Sequence, residues 1–307
     1  MNETHGAPGH RHPHPPDDPS GYPRIGFIGA GRVSCALGVV FARAGWPVAA
    51  ITSRDEANAA RFRELVPDAH AVPSVAAMAD EVDLLFVTVP DDAIPDVVTQ
   101  LRLYAGQAAV HTSGALDSSV LEPARAAGTQ LGSFHPMVAF ANQEAAVRSL
   151  PDATIAVEGD EELVALLGQL ASDIGAQPVR LPPTGKTAYH AAAVLAGGGV
   201  IGLLDGVAEV ARGAGLDEAG ALAIYVPLIR QALTNAEAMG IGEALTGPFV
   251  RGDVGTIRDH LAAMSRLAPG ALEMYRATAR RELGLAVGRG AIDEAQAAPL
   301  RALLDER

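Results

Sequence analysis

The chain has 307 residues, 49% hydrophobic but only 4% aromatic, which is enough for two ordinary domains with cores of Ala, Val and Leu. A formal net charge of −13 excludes the basic footprint that a nucleic-acid partner needs. One cysteine, Cys35, excludes an intrachain disulfide and suits a reducing, cytoplasmic compartment.

Residues 1–21 hold five prolines and no apolar periodicity and are expected to form a disordered tail. It lacks the apolar stretch of a secretory signal. His10, His12 and His14 alternate there, a pattern open to loose metal binding but better read as a solvated segment, so no metal site is expected.

From Arg24 onward, short apolar runs alternate with helical stretches. RIGFIG, PVAAITS, residues 69–72, DLLFVTVP, QAAVHTSG, TQLGSFHP, TIAVEG and AQPVRLP read as strands. Helices are expected over 32–44, 55–65, 75–80 and 161–174. The alternation predicts an α/β, doubly wound, mostly parallel Rossmann sheet over residues 22–183. After Pro182-Pro183 the strand signals stop. Thr184 can cap a long helix reaching about Arg212, and helices over 216–239, 254–267, 270–285 and 292–304 make residues 184–307 an all-helical domain. The longest apolar run, Ala191–Leu204, falls short of the ~18 residues of a membrane span and reads as a buried core helix, with no membrane partner.

Gly29-Ala30-Gly31-Arg32-Val33-Ser34 follows the first strand and opens the first helix. At this spacing the first glycine makes the tight turn and the second lets backbone approach a pyrophosphate at the helix N-terminus. Ser34 stands where a third Gly or Ala is usual. Strand two ends in Ser53-Arg54 rather than an acidic residue, so a hydroxyl and a guanidinium are available for a 2′-phosphate, favouring NADP over NAD. Asp55 and Glu56 fit the start of the next helix. Val89-Pro90 and Ser113-Gly114 lie at carboxyl ends of strands, where ligands bind in open parallel sheets. Ser113 either contacts nicotinamide or substrate, or caps the following turn.

Of 23 basic residues, Lys186 alone is lysine. Either chance spared it, or the position needs a compact ammonium whose pKa can be lowered into working range. Lys186 and His190 are four apart and share a helix face. A positioned ammonium can stabilise the negative charge that grows on oxygen during carbonyl reduction and donate the proton. His190 either assists it or fills a core site. His135, at the end of TQLGSFHP, is a second proton-donor candidate or a plain turn residue. Gly197 to Gly199 interrupt the same helix, each at about 1 kcal/mol relative to Ala. In the turn Leu245–Asp253, Thr246, Arg251 and Asp253 are substrate candidates. There Arg251 either binds a substrate carboxylate or pairs with Asp253 across the turn.

Several segments together resemble a family of Rossmann-like oxidoreductases with a C-terminal domain of unknown function, within the 6-phosphogluconate dehydrogenase-like superfamily. They are GAGRV (29–33), VPDDAI (89–94), HTSGAL (111–116), FHPM (134–137), KTAYHAAAVLAG (186–197) and LTGPFVRGD (245–253). The resemblance spans residues of about 24–305. It implies an enzyme reducing a small 2-keto acid with NADPH, as in the alternative ketopantoate reductases that convert 2-dehydropantoate to pantoate in pantothenate biosynthesis. It also implies Lys186 as the helix-motif lysine and a homodimer through the helical domain. Gly197-Gly198 replace the family's usual Ser-Asn. GSFHPM is also similar to the His-Pro-Met turn of prephenate and arogenate dehydrogenases, and an imine reductase of the pyrroline-carboxylate type fits the same motifs. The reading from another class is a protein that binds NADP without turnover, as a sensor or interaction module.

Overall fold

A computed structural model describes residues 21–306. The expected disordered tail and its three alternating histidines lie outside the described residues, except for Gly21.

The eight expected strands form one sheet. They are β1 (Ile25–Ile28), β2 (Val48–Thr52), β3 (His70–Ala71), β4 (Leu84–Val87), β5 (Ala108–His111), β6 (Gln130–Pro136), β7 (Thr154–Gly159) and β8 (Gln177–Arg180). Their order is β3-β2-β1-β4-β5-β6-β7-β8. Neighbours are parallel except β6 and β7, which run antiparallel with Ser133 opposite Glu158. The strand order reverses between β1 and β4, which puts the glycine-rich turn at the topological switch point.

Alternation along the strands supplies two cores, one on each face. Phe27 and Phe86 point to one side, where they meet Phe41, Phe62 and Phe134 with ring centroids 5.4–6.1 Å apart. Ile28, Leu85 and Val87 point to the other, against Met78, Ile94 and Val98. The few aromatic residues are thus concentrated where one tight cluster can anchor β1, β4 and β6 to the helix Arg32–Arg43. That helix buries the run Ser34–Phe41.

The described residues divide into two compact units, one ending at Val194 and the other beginning at Leu195. The division falls beyond the Pro182-Pro183 pair because the first turns of the helix Lys186–Ala196 stay with the sheet, held by the Lys186 side chain. Thr184 does not cap this helix. It sits in a 3-10 turn, Pro183–Gly185, immediately before it. The long helix expected to reach Arg212 is interrupted at Gly197, and a separate helix follows over Gly198–Gly213.

The second unit is helical. Glu218–Met239 packs its Ala221 against Ala208 and Ala211 of Gly198–Gly213. The helices Val254–Leu267, Leu272–Gly288 and Glu294–Asp305 enclose Ile257, Leu261, Leu283, Leu300 and Leu304. One expectation fails here. The apolar run Ala191–Leu204 is not a buried core helix, since Val194, Leu195 and Ile201 are 55%, 74% and 67% exposed. The helical stretch 183–213 is also long and apolar enough to cross a membrane by length and composition alone. Apolarity marked this run as needing cover, but the described residues do not supply the covering surface.

Candidate functional site

At the carboxyl ends of β1, β2 and β4 a groove of about 930 Å³ is lined by Gly29, Ala30, Gly31, Ser53, Arg54, Val89 and Pro90, all expected from sequence. Gly29 has φ +101°, and a methyl there would lie 2.9 Å from the carbonyl oxygen of Thr88, so both conformation and space require glycine. Thr88 fixes the turn by donating its hydroxyl to the Gly29 carbonyl at 2.8 Å. Gly31 differs. A side chain there would meet nothing within 4 Å, so internal packing does not demand glycine. Its absence keeps clear the space before the N-terminus of Arg32–Arg43, where the first backbone N–H groups have no intrahelical acceptor. That cradle fits the phosphates of a dinucleotide. Ser34 replaces the usual third small residue without strain, by donating its hydroxyl back to the Gly31 carbonyl at 2.9 Å.

Four expected cofactor residues do not line this groove. The Arg32 guanidinium turns away and donates to the carbonyls of Phe140 and Ala141, both at 3.1 Å. Val33 packs against the phenylalanine-rich core. Ser113 and Gly114 belong to the second cluster described below. Asp55 caps the helix Glu56–Leu65, accepting from the Ala57 and Asn58 amides, and also lines the groove. Asn58, Ser74, Asp96 and Gln100 complete the polar lining. They lie in helical and turn segments with no motif, and sequence reasoning missed them.

The second cluster forms at the carboxyl ends of β5 and β6, on the same edge of the sheet. Lys186 is 1% exposed. Its ammonium donates to the Ser113 carbonyl at 3.0 Å and to the Ser133 hydroxyl at 2.8 Å. Burial lowers its pKa to about 8, opposed by the negative charges of Glu158, Asp117 and Asp91. Ser113 caps its turn, accepting from the Ala115 and Leu116 amides, and donates to Asp91 at 2.7 Å.

Three imidazoles surround the lysine. His111 is fully buried. Its Nδ1 accepts from the Ser113 amide at 3.2 Å, so its Nε2 carries the hydrogen and donates to the Asp117 carbonyl at 3.1 Å. Burial, then the Lys186 charge, pushes His111 down to about 3. His135 is lowered to about 4 by burial, Lys186 and His190, with Asp91 opposing. His135 and His190 meet edge to face with centroids 5.6 Å apart. A methyl on Gly114 would lie 2.6 Å from His135 Nε2 and collide with His190 Nδ1, so glycine is needed for both rings to approach. His135 Nδ1, His190 Nδ1 and the Tyr189 hydroxyl are buried and have no hydrogen-bond partner among the described residues. Such groups are costly unless something else pairs with them.

Lys186, His190 and His135 are therefore brought together, which the four-residue spacing suggested for Lys186 and His190 alone. Ser133, Glu158, His111 and Tyr189 join them without a sequence signal strong enough to single them out. In the second unit, Arg251 donates to Asp253 at 2.9 Å, the arrangement in which the pair shapes its own turn, and Thr246 is exposed nearby in sequence.

Comparison with known proteins agrees with this architecture. Residues 17–136 match the Rossmann-like domain family, and residues 153–282 match a domain of unknown function, DUF2520. No curated protein sequence matches the chain significantly. Among solved structures, a Bacteroides fragilis protein described as an NADP oxidoreductase is 21% identical with a TM-score of 0.71. The match covers 86% of this chain and 98% of that one. Protein TM1727 from Thermotoga maritima is 25% identical with a TM-score of 0.66, covering 86% and 99%. A reductive aminase from Aspergillus terreus, in complex with NADPH and ethyl-5-oxohexanoate, is 18% identical with a TM-score of 0.64, covering 92% and 99%. The likeness to these structures is one of fold. The chain thus matches, in order, a Rossmann-like domain and a DUF2520 domain.

Proposed function

We propose that the chain is an NADPH-dependent reductase of a small carbonyl or imine compound, with a 2-keto acid, 2-dehydropantoate, as the favoured substrate. The observation that carries this reading is the buried ammonium of Lys186 beside three unpartnered polar atoms, on the sheet edge that also holds the dinucleotide-shaped groove. When bound, NADPH supplies the hydride. Gly29 to Gly31 take its pyrophosphate, and Ser53 and Arg54 take the 2′-phosphate. The NADPH complex of the reductive aminase, which shares this fold, supports the choice of cofactor.

Hydride delivery to a C=O or C=N carbon leaves negative charge on the heteroatom. An ammonium has three hydrogens, and Lys186 spends two on Ser113 and Ser133. The third remains for the reacting heteroatom. With a pKa of about 8, Lys186 is charged at neutrality and close enough to it to give up a proton. His135, held near 4, is a neutral imidazole there and serves as a hydrogen-bond donor rather than an acid. His190 and Tyr189 pair with the substrate's remaining polar atoms. The keto-acid preference rests on family resemblance.

The test is NADPH consumption against 2-dehydropantoate, prephenate, 1-pyrroline-5-carboxylate and ethyl-5-oxohexanoate. Turnover of the first is expected. Arg54→Ala should cut the preference for NADPH over NADH by about tenfold or more, because it removes a charge-assisted bond of roughly 1.5–3 kcal/mol to the 2′-phosphate. Tight NADPH binding with no turnover of any panel member would instead favour the non-catalytic reading.

We further read the second unit as a homodimer surface. Leu195, Ile201, Ile224, Leu228 and Leu233 are each more than half exposed, more apolar side chain than a lone soluble unit usually presents. Light scattering should give twice the 31.5 kDa chain mass, and Ile201→Glu with Leu228→Glu should give the monomer. A monomeric parent protein would end this reading.

A further inference from the structure

Glu158 has no place in the chemistry above, yet it is 97% removed from solvent, with 3% exposed. It stands on β7 directly opposite Ser133 of β6. Its carboxylate accepts from the Ser118 amide at 2.9 Å, from the Ser118 hydroxyl at 2.6 Å and from the Ser133 hydroxyl at 3.3 Å. Three donors thus surround its oxygens.

Ser133 has one hydroxyl hydrogen. It accepts from Lys186, so that hydrogen is free to point at Glu158. The result is a directed chain, ammonium to hydroxyl to carboxylate, closed inside the sheet. A buried ammonium and a buried carboxylate are each costly alone, and each reduces the cost of the other when linked by hydrogen bonds. The other charged or titratable groups facing the amine are Asp117 after β5, Asp91 after β4, His111 on β5 and His135 on β6. His190 lies one turn along the same helix. Asp91 is exposed and already accepts from Ser113. Asp117 accepts from Ser119. Glu158 is the carboxylate joined to the amine through one shared hydroxyl, whereas Asp91 meets the hydroxyl of Ser113 and the amine meets its carbonyl.

We propose that Glu158 is a positioning residue that acts through Ser133, holding Lys186 as an ammonium and fixing the orientation of its amine. The value of this to turnover rests on the reductase reading; the effect on Lys186 does not.

The experiment exploits the single lysine of the sequence. In full-length protein labelled with 13C-lysine, one side-chain Cε resonance titrates, and it belongs to Lys186. Its midpoint is read by NMR across alkaline pH for the parent, Glu158→Gln and Ser133→Ala. Glu158→Gln should lower the midpoint on the order of one pH unit, the scale of a lost opposite charge at close range. Ser133→Ala should lower it as well, by cutting the relay. Asp91→Asn should move it less than Glu158→Gln does. An unchanged midpoint in folded Glu158→Gln overturns the proposal, even if the variant melts earlier, because a merely structural role would change stability without touching the titration. If Glu158→Gln does not fold, Ser133→Ala decides in the same way, and an unmoved midpoint there is equally fatal. The alkaline limb of any reductase activity should shift in parallel. Should the chain prove not to be a reductase, the NMR titration still settles the role of Glu158.

Discussion

Lys186→Met is expected to lower turnover of any accepted carbonyl or imine by at least about 10²-fold while leaving NADPH affinity within a few-fold of the parent. Methionine keeps most of the apolar stem and removes the ammonium, so the change separates charge from packing. The dinucleotide groove contains none of the atoms that contact Lys186, which is why binding and turnover should part. The loss should appear in kcat and in kcat/KM together, because the interaction strengthens only as charge develops on the substrate. Stopped-flow NADPH binding alongside steady-state rates checks both halves. Full activity in the variant would remove Lys186 from the chemistry. The variant also leaves Glu158 without its cation, so a drop in melting temperature is expected, and rates must be compared below it.

Folding stability should rise with pH on both sides of neutrality, because His111, His135 and Lys186 all bind their protons less tightly in the folded chain than in the unfolded one. His111 and His135 are held near 3 and 4, below the ordinary 6.5 of an exposed imidazole. Between pH 6.5 and about 4 the unfolded chain binds a proton on each that the folded chain refuses. Stability therefore falls as pH drops through this window, by up to ~1.4 kcal/mol per pH unit for each histidine. Lys186 is also depressed, to about 8 from 10.5. Between those values the unfolded chain holds a proton that the folded chain has lost, so stability rises with pH at a similar slope until other groups intervene. Urea unfolding from pH 4.5 to 10 checks both limbs. His111→Gln should roughly halve the acid slope, and Lys186→Met should flatten the alkaline rise. An acid slope unchanged by His111→Gln would show that the imidazole is charged in the folded state.

Much of this arrangement could be read from the amino acids. The strands of the sheet and the glycine turn are local features: short apolar runs bounded by turn residues, followed by helical periodicity. Lys186 was legible for a different reason, as one lysine in a chain that otherwise uses arginine. Its partners were not. Ser133 and Glu158 meet because β7 turns back antiparallel to β6, and TIAVEG carries no signal for which direction it will run. Tyr189 lies one residue from His190, but its buried, unpaired hydroxyl depends on how the helix seats against the sheet. Arg32 looked like a phosphate ligand by position, yet the carbonyls of Phe140 and Ala141, more than a hundred residues away, hold its guanidinium. The apolar run Ala191–Leu204 was misread because hydrophobicity states a need for contact without naming the neighbour.

The burial of Lys186 has one more consequence. With the sequence's one ε-amine enclosed at the sheet edge, the cations on the described surface are guanidinium groups or imidazoles. Acylating and reductively alkylating reagents find no lysine to attack on the folded protein. Their reaction at position 186 must wait for that edge to open, which makes its rate a direct clock for local breathing of the strands that hold the amine.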